Sequence, residues 1–345
     1  MVKNDKKFNI ALIGCGRIGE RHFQSLMGLE KKSFNLQVCD KFAKNLSLDK
    51  LSKKLSMKNI SLKGRELISP SFVKDIKDLH ENIDVCLIAT KADVRKSIVE
   101  ELLTKKNVKY LILEKVAFQS VKDFKDIIEL TERKNIKCYV NCPLRIQPLY
   151  SVLTDRFDLD EDTKFTYEYS DDFKISSSLI HILDLFCYFC DDFDIKIYTE
   201  FKKVIDNPKY KDFVDFVGEV NVINSNGHIL IVKKGNKKFT ETLEIDNINV
   251  NIHVTEGGEE KDINQKRLGN IIINKKNEDE KLEFSTKFNW QSELTLTYIM
   301  DLYNIGELEL PTLRESFATH KPMIESFNKF LSETKGETFT ICPIT

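Results

Sequence analysis

The chain has 345 residues, room for two domains each with its own core. At 41% hydrophobic and 31% charged it is not a disordered polymer, and 53 Lys+Arg against 54 Asp+Glu leave no global field to attract nucleic acid or an anionic membrane. No apolar run approaches the roughly 20 residues of a membrane span, and the N-terminal stretch MVKNDKKFNIALIG has no apolar secretory core, so a cytoplasmic protein is expected.

The first 145 or so residues alternate strand and helix patterns. Phe8–Ile13 is a short apolar run, followed by a helical pattern to about Leu29. Leu36–Cys39 is a second strand, and Phe42–Leu55 reads as a second helix; Ile60–Leu79 resists assignment. Strands follow at Val85–Ala89, Tyr110–Leu113 and Lys137–Val140, separated by helices near Val94–Leu103 and Val121–Lys134. Short runs apolar on both faces and joined by helices predict a parallel sheet covered on each side.

After Pro148 the pattern changes. Lys164–Tyr169 alternates, and an apolar helix follows. From Asp215 the chain reads as antiparallel strands, with Val217–Ile223 and His228–Val232 flanking Ser225-Asn226-Gly227, a tight-turn signal. Further turns are expected at Lys233–Asn236 and Gly257-Gly258, and Leu313–Leu331 has helical spacing of Phe and Met. Lysine pairs such as Lys53-Lys54 and Lys237-Lys238 read as solvated faces. Trp290 and the tyrosines near it read as core. Of the 8 cysteines, Cys15, Cys39, Cys86 and Cys138 fall in or beside buried strands, and Cys187/Cys190 form a lone CxxC with no second pair, so structural thiols and no metal are expected.

The segment IALIGCGRIGERH places Gly14-x-Gly16-x-x-Gly19 directly after a strand and at the start of a helix. Gly14 permits the tight turn, Gly16 lets backbone approach a pyrophosphate, and Gly19 lets helix and strand pack closely. The helix N-terminus, with Arg17 and Ile18, offers its N–H groups to phosphates. Asp40 ends the second strand about 20 residues on, where a carboxylate binds an adenosine ribose and repels a 2′-phosphate, which favours NAD over NADP. Thr90, after the strand ending at Ala89, is expected to meet the cofactor.

These residues resemble the glucose–fructose oxidoreductase/inositol dehydrogenase (Gfo/Idh/MocA) family. GCGRIGERH is similar to its fingerprint, VCLIATKADVRKSIVEELL to its fourth strand and helix, and LEKVAF to its Glu-Lys-Pro signature. YVNCPLR resembles the strand that enters the second domain, SLIHILDLF its His-x-x-Asp helix, and PTLRESFATHKPMIESFNKFL its closing helix. The resemblance implies an N-terminal Rossmann dinucleotide-binding domain (1–145) and a C-terminal α+β domain (146–345) with a mostly antiparallel open sheet that forms a homo-oligomer interface, dimer or tetramer. It also implies a closing helix, about 313–331, that packs back on the first domain, and NAD(P)-dependent hydride transfer on a sugar, cyclitol or sugar nucleotide. The signature lysine becomes Lys115 and the histidine His181. Val116 stands where the family has proline, and Ser177 where many members have an aspartate.

In the apolar helix, Ser177, His181, Asp184 and Tyr188 follow at spacings of four, three and four and fall on one line. A polar line on a buried helix needs a polar or wet neighbour, because unpaired buried groups cost about 1–3 kcal/mol each. Two readings stand: partners that fix packing, or the lining of a site. On the second, His181 is the general acid/base, suited by an ordinary pKa near about 6.5. Lys115, at the carboxyl edge of the sheet, polarises the reacting oxygen. Asp184 orients the imidazole or binds a hydroxyl, and Ser177 bridges. Glu114 serves the cofactor or the loop, Arg145 pairs with a substrate anion or across the domains, and Asn141 hydrogen-bonds at the site edge. A non-catalytic cofactor- or sugar-binding regulator, and a reductase of an imine or conjugated double bond, are the alternatives on the same scaffold.

Overall fold

The structure is a computed structural model that describes residues 7–54, 66, 68–154, 163–207, 210–236, 240–245, 248–253, 268–274 and 281–345. The Lys237-Lys238 pair and the Gly257-Gly258 turn lie outside the described residues. The chain falls into two units. One comprises Met1–Phe118, Asp123–Asn141 and Trp290–Leu313; the other comprises Gln119–Lys122, Cys142–Asn289 and Arg314–Thr345.

The first unit is built on six parallel strands: β1 (Phe8–Ile13), β2 (Phe34–Cys39), β3 (Ser71–Val73), β4 (Asn82–Ile88), β5 (Asn107–Glu114) and β6 (Lys137–Asn141), in the order β3-β2-β1-β4-β5-β6. The order reverses between β1 and β4, the topological switch point where open α/β sheets bind ligands beyond the strand ends. Ile10–Ile13, Val85–Ile88 and Tyr110–Leu113 are buried on both faces, the consequence of helices above and below. The first helix, α1 (Arg17–Leu26), turns Phe23 and Leu26 inward, and each buried side chain of this size contributes about 2–3 kcal/mol.

The predicted helix over Phe42–Leu55 is interrupted. A 3₁₀ turn at Ala43–Asn45 gives way to extended Leu46, and α2 (Leu48–Lys54) begins afresh where Ser47 Oγ accepts from Lys50 N at 3.2 Å. A capping hydroxyl starts a helix and breaks one running through it. The expected helices at Val94–Leu103 and Val121–Lys134 are α3 (Ala92–Lys105) and α4 (Val121–Arg133). The segment after Pro148 begins α5 (Pro148–Thr154).

The second unit carries eight strands: β7 (Lys164–Tyr169), β8 (Ile195–Asp206), β9 (Val214–Asn224), β10 (Ile229–Lys234), β11 (Thr240–Ile245), β12 (Ile248–His253), β13 (Leu268–Asn274) and β14 (Lys281–Lys287). Their order is β14-β13-β12-β11-β7-β10-β9-β8, antiparallel throughout except for the β7–β10 pair. The Asn226-Gly227 hairpin forms as predicted, with Gly227 at φ 92° and its N–H on Asn224 O. The apolar helix is α6 (Ile175–Cys190); Phe186 meets Phe165 of β7 edge-on at 5.1 Å.

The segment 290–313, which contains α7 (Gln291–Asn304), belongs to the first unit, where Leu296 N donates to Ser25 Oγ of α1 at 2.8 Å. The closing helix α8 (Leu313–Lys335) packs Phe327 on Phe216 (4.4 Å) and Phe201 (5.4 Å) of its own unit's sheet.

Candidate active site

The turn between β1 and α1 is held by Gly14 N–H on Cys39 O at 2.9 Å. Gly14 has φ 89°, and a Cβ there would meet Thr90 Cγ2 at 2.9 Å. At Gly19 an added Cβ would stand 2.0 Å from Gly14 O, so only glycine lets α1 sit this close to the turn. Gly16 differs from both. Its φ of −76° suits any residue, and a Cβ would meet nothing within 4 Å. Neither backbone nor packing demands glycine there, whereas a phosphate approaching the backbone does. Arg17 and Ile18 open the helix with exposed side chains.

Asp40, one residue beyond β2, has its carboxylate fixed from two sides. Cys15 N donates to Oδ2 at 2.7 Å and Phe42 N to Oδ1 at 2.8 Å. The remaining lone pairs are free to accept ribose hydroxyls, and the anion stands in the path of a 2′-phosphate. Thr90 follows β4 with its methyl packed toward Gly14, and its buried Oγ1 has no hydrogen-bond partner among the described residues. A dinucleotide fits this arrangement: an open space over Gly16, a fixed carboxylate at the second strand, and a hydroxyl lacking a partner at the fourth.

Lys115 follows the last residue of β5 at the same carboxyl edge and is half-buried. The Lys115–Val116 peptide bond is cis although the second residue is not proline. Beneath this loop lies a residue without an assigned role in the sequence, Arg95 of α3. Its guanidinium, 1% exposed, donates to the carbonyls of Thr90, Val116 and Ala117, the last at 2.9 Å.

The carboxylate of Glu114 points into the core of the unit. It accepts from Asn141 Nδ2 and lies 2.8 Å from His22 Nε2, while His22 Nδ1 lies 2.8 Å from Thr295 Oγ1. The Thr295 hydroxyl in turn donates to Gln291 O at 3.0 Å, which extends the network into α7. Burial pushes the Glu114 carboxyl up, but the hydrogen bond and charge of His22, with Lys115 and Asn141, outweigh it and bring the group down to about 2. Asn141, 3% exposed, is filled on every side: Nδ2 also donates to Gln291 Oε1 at 2.8 Å, and Oδ1 accepts from Tyr298 at 3.1 Å. Glu114 and Asn141, expected to face cofactor and substrate, therefore have their polar side-chain groups engaged in a buried network. Of the aromatic residues near Trp290, Tyr298 is core, Trp290 is half-buried and Tyr303 is 47% exposed.

In the second unit the polar line on α6 is real. Ser177, His181 and Tyr188 are half-buried, among a helix otherwise mostly buried. Asp184, on the same line, is 1% exposed, and both its oxygens accept from Arg145, Nε at 3.0 Å and Nη2 at 2.5 Å. Burial pushes the Asp184 carboxyl up to about 6 against the pull of Arg145, so it remains ionised at neutral pH. Arg145 reaches Glu315 at 3.6 Å and lies over the Tyr188 ring at 4.8 Å. Arg145 was expected to take a substrate anion or bridge the domains; its observed carboxylate partners lie within its own unit. The 8 cysteines are free and buried, and burial pushes the Cys187 and Cys190 thiols up, the latter to about 12, which keeps them protonated. Among the described residues no helix is long and apolar enough to cross a membrane.

The parallel sheet, the glycine turn and the fixed Asp40 define a dinucleotide-binding protein of the Rossmann class. Residues 8–142 match the GFO_IDH_MocA family model, described as an oxidoreductase family with an NAD-binding Rossmann fold. Solved structures share the fold over nearly the whole length. UDP-N-acetylglucosamine 3-dehydrogenase GnnA from Acidithiobacillus ferrooxidans is 10% identical, with a TM-score of 0.63 over 92% of this chain and 96% of that one. An oxidoreductase from Agrobacterium radiobacter, solved with NAD+, L-tartaric acid and magnesium, is 16% identical, with a TM-score of 0.65 over 97% and 98%. The transcriptional regulator Gal80p from Kluyveromyces lactis is 13% identical, with a TM-score of 0.62 over 100% and 96%. At these identities the likeness is one of fold. No curated protein sequence matches the chain significantly.

Proposed function

We propose that the chain is an NAD-dependent oxidoreductase that moves a hydride to or from a carbinol or ketone carbon of a sugar-like substrate, sugar nucleotides included. The observation that carries the reading is the shared carboxyl edge of the first unit's sheet. The space over Gly16, the carboxylate of Asp40, the hydroxyl of Thr90 and the Lys115 ammonium stand at the ends of β1, β2, β4 and β5. The cofactor supplies the hydride acceptor or donor; binding and proton handling are left to the protein.

In the oxidation direction the carbinol C–H leaves as hydride, the O–H proton passes to His181, and a carbonyl remains. Lys115 donates a hydrogen bond to the reacting oxygen and stabilises the negative charge that builds on it. Ser177 holds a substrate hydroxyl. Arg145 and Asp184 act as positioning residues that set the Tyr188 and His181 face of α6. Asp40 directs the preference toward NAD over NADP. The half-buried face of β7, β9 and β10, with Thr166, Asn221, Ile223 and Ile231, is proposed as the oligomer interface, which light scattering of the purified chain reads directly.

Lys115→Met and His181→Asn, assayed for NAD+ reduction with a panel of free and nucleotide-linked sugars, test the assignment. Turnover falling by about two orders of magnitude or more with unchanged NADH affinity supports it. Turnover equal to the unmodified chain removes both roles. Firm NADH binding with no turnover on any sugar would favour the regulator instead.

A further inference from the structure

Arg95 is unusual among the buried charges. Arg145 has two carboxylates and His22 has one, but the hydrogen bonds described for Arg95 all go to backbone carbonyls, and its Nε has no partner among the described residues. Burial draws the guanidinium down to about 10, with the charges of Glu114 and Asp93 pulling the other way. A buried ion without a contacting counter-ion costs several kcal/mol, and apolar side chains of similar volume fill such sites more cheaply. What the cation supplies here is a planar fork. Nη2 takes Thr90 O while Nη1 takes Val116 O and Ala117 O, so two loops from different strands are tied to one rigid plane.

Those two loops are the ones that matter at the carboxyl edge. Thr90 packs its methyl toward Gly14 of the phosphate turn, and Val116 follows Lys115. A shift of either loop moves the cofactor cradle relative to the ammonium. We propose that Arg95 is a positioning residue that locks the Thr90 loop and the Lys115 loop into one register and so holds the cofactor-binding edge in its NAD-competent form. The inference rests on cofactor binding by the first unit and is independent of the substrate.

The test is chemical rescue read by NADH fluorescence. In Arg95→Ala the fork is removed while helix propensity is kept, and the dissociation constant for NADH is expected to rise about tenfold or more, equivalent to about 1.4 kcal/mol. Methylguanidine at tens of millimolar should restore affinity to within about threefold, and methylammonium should not, because only the first has the fork. Unchanged NADH affinity in a variant that melts cooperatively overturns the proposal, as does equal rescue by both amines, which would reduce the role to charge or to filling space. If Arg95→Ala does not fold, Arg95→Lys carries the test: it keeps the charge and loses the plane, so a folded Lys variant binding NADH as tightly as the unmodified chain overturns the proposal. Absence of NADH binding by the unmodified chain would instead refute the cofactor reading itself.

Discussion

Replacing Glu114 by glutamine should weaken the first unit by about 3 kcal/mol at neutral pH. The figure follows from the depressed carboxyl: an ordinary value of 4.5 brought down to about 2 is a difference of roughly 2.5 pH units, each worth about 1.4 kcal/mol. It agrees with the ~3–5 kcal/mol lost when one member of a buried ion pair is removed. Glutamine keeps the shape and can leave a carbonyl oxygen where Oε1 meets both His22 and Asn141, but it removes the negative charge. The single tryptophan, Trp290, lies in the same unit, so its fluorescence during urea unfolding reports the relevant transition. The sign of the pH dependence is fixed by the direction of the shift. A carboxyl lowered in the folded state stabilises above its unfolded value and loses that contribution as pH falls toward the folded one. The gap between unmodified chain and variant should therefore narrow as pH falls below about 4.5. A variant as stable as the parent at pH 7, or a gap that ignores pH, would refute the pairing.

The glycines separate binding from folding. Gly16→Ala should leave the melting temperature nearly unchanged, within about 0.5 kcal/mol, while NADH titration shows a clear loss of affinity, because the new methyl enters only ligand space. Gly19→Ala should lose both, since its Cβ collides with Gly14 O and costs about 1–3 kcal/mol by calorimetry. Asp40→Ala should weaken NADH by about tenfold and NADPH by much less, measured side by side by fluorescence; equal losses would remove its role in cofactor choice. Arg145→Met strands Asp184 in the core and should cost about 3–5 kcal/mol in denaturant melts, and the double change with Asp184→Leu should recover most of it.

The N-terminal fold was readable because its signals are local. The turn residues of Gly14–Gly19, the doubly buried strands and the Asn226-Gly227 hairpin each specify their own geometry within a few positions. Strand β8 escaped because its alternation is crowded with Lys196, Glu200, Lys202 and Lys203 along an edge. Helix α7 carries a periodicity diluted by polar residues such as Gln291 and Thr295, whose partners lie 150 positions away in β6 and 273 positions away in α1. Arg95 sits in the stretch VRKS, which reads as solvated surface; only the loops after β4 and β5 reveal what it holds. The roles of Glu114, Asn141 and Asp184 were half legible. Their positions beside the predicted edge or stripe were right, but a polar side chain's partner is set by tertiary packing, and here it is another protein group. His22 was part of the fingerprint quoted from the sequence, yet nothing nearby in the chain discloses Glu114 as its partner.

The dinucleotide-binding unit is not finished when its sixth strand has been synthesised. Strand β6 is the edge of its sheet, and its Val140 N–H is met only by Pro311 O, with Tyr139 bridging to Thr312. His22 likewise waits for Thr295. On the ribosome, some 170 further residues must emerge before this edge is covered, so an excised fragment ending near residue 142 would expose a raw strand and leave His22 Nδ1 without its Thr295 partner. The nascent chain must therefore keep its first half from pairing with neighbours until the distant segment returns, a dependence on synthesis order that a contiguous nucleotide domain does not have.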